Sequence, residues 1–167
     1  MDTILSLGSN LGDRLANLTQ ARQALGRLPQ SRLVACSRVY ATEPVDMPQT
    51  CCELEFYNAI LVLETRLEVH AFSDAVHALE FRMGRKREAK RMAPRVIDID
   101  LICCDSLQLD EPDLQLPHPR AHLRRFVCEP LAEVRPMLVL PGQQLPVRAI
   151  LAHLPVVPCV SLAAEQW

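Results

Sequence analysis

The 167-residue sequence is poor in glycine and in aromatic residues: five glycines, four phenylalanines, two tyrosines and one tryptophan. With so few glycines there is no Gly-rich kinase loop, and no G-x-x-x-x-G-K-[ST] segment occurs, so any polyphosphate must be held by side chains. The low aromatic content, 4%, together with the lack of an RNP-type aromatic pattern, argues against a single-stranded RNA platform. No apolar run is long enough to span a bilayer, which argues against a membrane protein. Seven cysteines are present, but none in C-x-x-C spacing, which excludes the usual zinc and dithiol motifs and predicts reduced thiols. Met1 is followed directly by Asp2 with no basic stretch ahead of an apolar one. No secretory signal is expected, and a cytoplasmic location is the default.

The composition is 49% hydrophobic and 23% charged, which predicts one globular domain over residues 1–167 with a core of its own. A formal net charge of −2 supplies no overall attraction for nucleic acid, so anion binding must come from a local basic cluster.

Alternation and periodicity give an order of elements. Residues 3–7 read as a strand, ended by Gly8-Ser9-Asn10, which is expected to turn the chain and cap a helix. That helix carries Leu15, Leu18, Ala21, Leu25 and Leu28 on one stripe and stops at Pro29. Arg32–Tyr40 reads as one strand and 41–55 as a long loop. Phe56–Glu64 is a strand with two mostly apolar faces, hence central, with Phe56 and Asn58 on the same face. A second helix buries Phe72, Val76, Leu79 and Met83 and ends at Gly84. A strand holding Asp98 and Asp100 follows. This is the βαββαβ order of a ferredoxin-like α+β fold, an antiparallel sheet with both helices on one face. C-terminal additions, including short helices at Phe126–Val134 and Pro146–Leu154, are expected to cover or extend the sheet. Pro155–Trp167 reads as irregular.

Chemistry concentrates around Arg95-Val-Ile-Asp-Ile-Asp-Leu-Ile. Asp98 and Asp100 share a strand face with α-carbons roughly 6.5–7 Å apart, a spacing suited to hard cations such as magnesium. Taken alone, such a pair is more often a solvated surface. It is preceded, however, by Arg82, Arg85, Lys86, Arg87, Lys90, Arg91 and Arg95, seven cations in fourteen positions. Guanidinium groups bind phosphate in a bidentate fashion, so cations joined to a carboxylate pair resemble half of a nucleotide–magnesium site. Farther on, Pro117-His118-Pro119-Arg120 and Arg124-Arg125-Phe126 add a histidine, three arginines and an aromatic ring.

Together, Leu7-Gly8-Ser9-Asn10-Leu11-Gly12-Asp13, Tyr40-Ala41-Thr42-Glu43-Pro44-Val45, Phe56-Tyr57-Asn58-Ala59, Leu79-Glu80 to Gly84-Arg85 and the segments just quoted resemble the 6-hydroxymethyl-7,8-dihydropterin pyrophosphokinase family. The resemblance runs in order to about residue 140. It implies transfer of the β,γ-pyrophosphoryl group of ATP to the pterin hydroxymethyl oxygen, with release of AMP, by a monomer. It further implies that Asp98 and Asp100 hold two magnesium ions. Glu80, Arg85, Arg87, Arg91, Arg95, Leu101, His118 and Arg124 would contact ATP, with Arg85 and Arg95 also catalytic. Thr42, Pro44, Val45, Phe56, Asn58, Asp98 and Phe126 would hold the pterin, Phe56 and Phe126 sandwiching the bicycle and the Thr42–Val45 backbone completing its polar edge. Met92, Ala93 and Asp46 stand where many members carry tryptophan, glycine and glycine.

Overall fold

The computed structural model describes residues 1–43, 55–85, 94–157 and 159–167. Pro44, Val45, Arg87 and Arg91, as well as Asp46, Cys51, Cys52, Lys86, Lys90, Met92 and Ala93, lie outside the described residues. The elements run β1 (Asp2–Ser9), α1 (Arg14–Leu25), β2 (Ser31–Cys36), β3 (Val39–Thr42), β4 (Phe56–Thr65), α2 (Val69–Arg82) and β5 (Asp98–Cys104). They continue as a small hairpin of β6 (Leu109–Asp110) and β7 (Gln115–Leu116), a 3-10 turn at Ala121–Leu123, α3 (Arg125–Val134), α4 (Val147–His153) and β8 (Val160–Ala164).

The main sheet is antiparallel, in the order β5-β1-β4-β3-β8, with β2 also lying along β4. β4 is central, as its two apolar faces require. Leu5, Leu7, Leu61, Leu63, Ile99 and Leu101 point to one face and pack with Leu18, Leu25, Phe72 and Val76 of α1 and α2. Ile4, Ile60, Val62 and Ile102 point to the other face, where Val127, Cys128 and Leu131 of α3 and Val147 of α4 close a second core. β1, β4 and β5 therefore alternate between two apolar layers.

Four sequence expectations are corrected. The cap of α1 is Asp13, whose side chain accepts from the Ala16 N–H at 3.0 Å, while Gly8 and Ser9 belong to β1. Ser9 and Asn10 are engaged elsewhere: Ser9 Oγ donates to the Val96 carbonyl at 2.6 Å and Asn10 Oδ1 accepts from the Arg95 N–H at 2.7 Å. Helix α1 ends at Leu25 with Gly26 as its cap, ahead of Pro29. The expected strand Arg32–Tyr40 is two strands, because Ser37 leaves the ladder and its hydroxyl accepts the Ile60 N–H at 2.9 Å. This places Thr42, expected in the loop, at the end of β3.

The fourth correction is Pro155–Trp167, which contains a strand. β8 pairs Val160 with Thr42 and Leu162 with Tyr40 and so extends the sheet past β3. Trp167 anchors the end: its indole N–H donates to the Ser37 carbonyl at 2.7 Å, and Arg22 lies over its ring. Both expected roles of the tail, covering and extending, are thus realised.

Helix α3 is held to β3 and the residue before it by Glu133. Its carboxylate accepts from the Tyr40 hydroxyl at 2.8 Å and from the Arg38 backbone N–H at 3.2 Å. Glu133→Ala leaves the buried Tyr40 hydroxyl without this acceptor, and a loss of about 1–3 kcal/mol is expected. Urea titration of the variant beside Tyr40→Phe checks this: the phenylalanine variant, which removes donor and hydroxyl together, should lose less.

Candidate active site

The neighbouring ends of β1, β4 and β5 form a row across the sheet. Gly8 pairs with Asn58 on one side and with Asp98 on the other. A β-carbon at Gly8 would stand 3.4 Å from Asn58 Oδ1 and 3.9 Å from both Asp98 Cβ and Phe56 Cδ1. Gly8 is therefore the floor of a slot whose walls are Asn58, Phe56 and Asp98, on the face that carries α3. A glycine within a strand pattern signals such close approach, although in the sequence Gly8-Ser9-Asn10 has the composition of a turn.

Asn58 is buried, and its Nδ2 donates to Thr42 Oγ1 at 2.8 Å. That bond turns the amide oxygen toward Gly8. The expectation for Thr42 concerned its backbone; the structure engages its hydroxyl. Phe126, in the first turn of α3, is half-buried on this side of the sheet, with the Arg124 guanidinium 5.4 Å from its ring centre.

Asp98 lies against two arginines. Arg95 Nη1 donates to Oδ2 at 2.8 Å, and Arg85 Nη1 stands 2.7 Å from Oδ1. The second contact is an ion pair without hydrogen-bond alignment, so Oδ1 is a buried acceptor with no hydrogen-bond donor among the described residues. Burial first, and the charge of Asp100 second, raise the pKa of Asp98, against the pull of Arg95, Arg85 and Arg124. Asp100 is more open, with His118 Nε2 at 3.9 Å and Arg124 Nη1 at 4.0 Å. Burial, reinforced by Arg124 and Arg120, lowers the His118 pKa to about 4. It is therefore neutral at physiological pH and contributes hydrogen-bonding nitrogens rather than charge.

Glu80 reaches the same place from α2. Its Oε1 accepts from the Ile99 N–H at 2.7 Å, covering the outer edge of β5, and also from Arg85. Burial raises its pKa to about 7, although Arg85 and the Ile99 N–H favour the charged form. A folded-state value above the unfolded one means that the group's contribution to stability is present at low pH and is lost as pH rises through about 7. Glu80→Gln keeps an acceptor for Ile99, so the variant should show a flatter fall in melting temperature between about pH 5 and 7. Thermal melts across that range check it.

A cleft of about 260 Å³ opens on the outer side of β5, between α2 and the segment after β6. Leu101, Asp100 and His118 line it, with Ser73 and His77 of α2 and Leu114 opposite. The carboxylate pair thus lies between two concavities: Asp98 borders the Gly8 slot, and Asp100 lines the β5 cleft. Of the expected site residues within the described set, Glu80, Arg85, Arg95, Asp98, Asp100 and Arg124 form one cluster of charge-bearing groups, with the neutral His118 beside Asp100. Thr42, Phe56 and Asn58 form the slot, with Phe126 on the same side.

Residues 4–136 match the family model for 7,8-dihydro-6-hydroxymethylpterin-pyrophosphokinase. The chain belongs to this family. A 2-amino-4-hydroxy-6-hydroxymethyldihydropteridine pyrophosphokinase of Methylorubrum extorquens is 40% identical over 151 residues, 90% of this chain and 91% of that protein. One from Pseudomonas aeruginosa is 38% identical, over 85% of this chain and 86% of that protein. Among solved structures, an HPPK-DHPS in complex with substrates superposes with a TM-score of 0.72 at 11% identity. The superposition covers 90% of this pyrophosphokinase-family chain and 42% of that longer one, and the likeness is one of fold. The ferredoxin-like arrangement expected from the element order is therefore the fold of the family.

Proposed function

We propose that this chain is the folate-biosynthesis enzyme its family describes, transferring a pyrophosphoryl group from ATP to 6-hydroxymethyl-7,8-dihydropterin. The observation that carries the reading is the placement of Asp98 and Asp100 between an aromatic, amide-lined slot and an open cleft. The slot suits a flat heterocycle: Phe56 and Phe126 offer stacking faces, and Asn58, fixed by Thr42, offers an oriented amide. The cleft suits the nucleoside end of ATP, with Leu101 and His118 in its wall. Arg85, Arg95 and Arg124, gathered around the carboxylates, bind the triphosphate between them, with Glu80 holding Arg85 in place.

The donor set fits magnesium. Asp98 Oδ1 is a buried oxygen lacking a hydrogen-bond donor, and Asp100 presents a second hard carboxylate on the same face. Asp98 and Asp100 would hold two such ions, which when bound neutralise phosphate charge and polarise the reacting phosphorus. The chain itself orients the acceptor and donor. The pterin hydroxymethyl oxygen, presented from the slot, attacks the β-phosphorus; the bond to the α-phosphate oxygen breaks, the hydroxyl proton is released, and AMP leaves. Positioning and charge stabilisation are the protein's contribution to such a transfer.

Among the described residues no helix is long and apolar enough to cross a membrane. We infer a cytoplasmic monomer of one domain, residues 1–167. The direct test incubates the purified chain with magnesium, ATP and 6-hydroxymethyl-7,8-dihydropterin. Stoichiometric AMP and pterin pyrophosphate are expected; ADP as product, or no turnover by folded protein, overturns the reading. RNA binding, the other use of such a sheet, would survive Asp98→Asn and fall steeply with salt.

A further inference from the structure

The two carboxylates are treated differently by the protein. Both oxygens of Asp98 face guanidinium groups, at 2.8 Å from Arg95 and 2.7 Å from Arg85. Among the described residues Asp100 has only the contacts with His118 and Arg124 at 3.9 and 4.0 Å, and its side chain is 39% exposed. The two arginines flank a single stretch of chain, Arg85 before it and Arg95 after it, and each is fixed by its backbone. The Arg85 N–H donates to the Glu80 carbonyl at 3.0 Å. The Arg95 N–H donates to Asn10 Oδ1 at 2.7 Å, and the Asn10 N–H returns a bond to the Arg95 carbonyl at 3.2 Å. Their side chains are about a quarter exposed, so the guanidinium groups can move while their α-carbons stay.

A divalent cation approaching Asp98 meets two positive charges already in contact with both carboxylate oxygens. A bare cation offers those arginines nothing in exchange, and like-charge repulsion opposes its entry. A cation carried by a polyphosphate is different, because the phosphate oxygens are better guanidinium partners than a single carboxylate. Arg85 is suited to the exchange, since its contact with Asp98 Oδ1 is a misaligned ion pair and Glu80 holds the same nitrogen. We propose that Arg85 and Arg95 form an exchangeable cap on Asp98, which excludes a free divalent cation and yields to one that arrives with a triphosphate.

This rests on Asp98 and Asp100 as the metal-holding pair. Metal alone should bind weakly, and metal binding should become strong only in the company of nucleotide. The same guanidinium groups then neutralise first the carboxylate and afterwards the phosphates.

The test measures Mn²⁺ bound to the full chain by equilibrium dialysis and by the electron paramagnetic resonance signal of free Mn²⁺, without nucleotide. Nucleotide binding is measured separately with α,β-methylene-ATP, with and without Mn²⁺. The wild type should bind Mn²⁺ alone weakly, and Mn²⁺ should strengthen analogue binding at least about tenfold, equivalent to about 1.4 kcal/mol. Arg95→Met and the Arg85→Met, Arg95→Met double variant should bind Mn²⁺ alone at least about tenfold more tightly than wild type, and the analogue more weakly. Arg95→Lys keeps a charge and should stay near wild type for Mn²⁺ alone, which separates the cap from a loosened backbone. Methionine variants that are folded by circular dichroism but gain no Mn²⁺ affinity overturn the proposal, as does tight wild-type binding of Mn²⁺ alone. If instead Asp98→Asn and Asp100→Asn leave the Mn²⁺ dependence of analogue binding intact, it is the metal-pair reading that fails.

Discussion

Asp98→Asn is expected to lower kcat/KM by about 10³-fold or more, some 4 kcal/mol of transition-state stabilisation, without lowering the melting temperature at pH 7–8. Asparagine keeps the shape of the side chain but gives up the anion, and with it one of the two carboxylates proposed to hold metal and the partner of Arg95 and Arg85. The stability half follows from the raised pKa. Burial and Asp100 make the folded protein hold the Asp98 proton more firmly than the unfolded chain does. This carboxyl therefore favours folding most at low pH and progressively less as pH rises through its folded value. A neutral isostere removes that cost. Arg85 retains Glu80, and Arg95, 28% exposed, can reach water. Steady-state kinetics beside thermal melts check both halves, and a variant that loses activity only because it unfolds would contradict the prediction. Asp100→Asn should match it in activity.

Gly8→Val, which adds three carbons, is expected to raise the KM for the pterin by about 10²-fold, and Gly8→Ala, which adds one, by about tenfold, within the range that small apolar additions in a binding pocket command. The space a methyl group would enter is open on the slot side, with its nearest atoms at 3.4 and 3.9 Å. These are ordinary contacts, and Gly8 does not have the positive φ of Gly12 or Gly84, so the alanine variant should fold as the wild type does. The added carbon takes room between Asn58, Phe56 and Asp98, where the ring would lie. Nucleotide binding, on the far side of the carboxylates, should be unchanged. Titration with pterin and with the ATP analogue separates these outcomes, and a Gly8→Ala enzyme with unaltered pterin KM would place the ring elsewhere.

Much of this site was legible along the chain because strand alternation is local. Asp98 and Asp100 had to share a face, and Phe56 and Asn58 had to share theirs. The helix stripes of α1 and α2 were equally plain, since a 3.6-residue period shows within a few turns. The errors have non-local causes. Ser9 and Asn10 have the chemistry of helix caps, but the approach to β5 draws their side chains away. Arg32–Tyr40 reads continuously, yet Ser37 must leave the ladder to let both β2 and β3 lie along β4. The residues 160–164 carry a weak strand signal by themselves and become a strand because β3 offers an open edge.

Residues that act through partners far away in sequence are not legible along the chain. Gly8 matters because β4 and β5 bring Asn58 and Asp98 to either side of it. Tyr40 matters because α3 returns Glu133 to it across 93 positions.

By itself, the sequence determined the order of the elements, the shared face of the two aspartates and the basic stretch ahead of them, since all three depend on neighbours in the chain. The tertiary structure decided that Asp98 is covered by Arg85 and Arg95 while Asp100 stays open, and that the pair divides a slot from a cleft. Those outcomes depend on strand register and on which side chains reach the outer edge of β5, and contacts of that kind have no period along the chain.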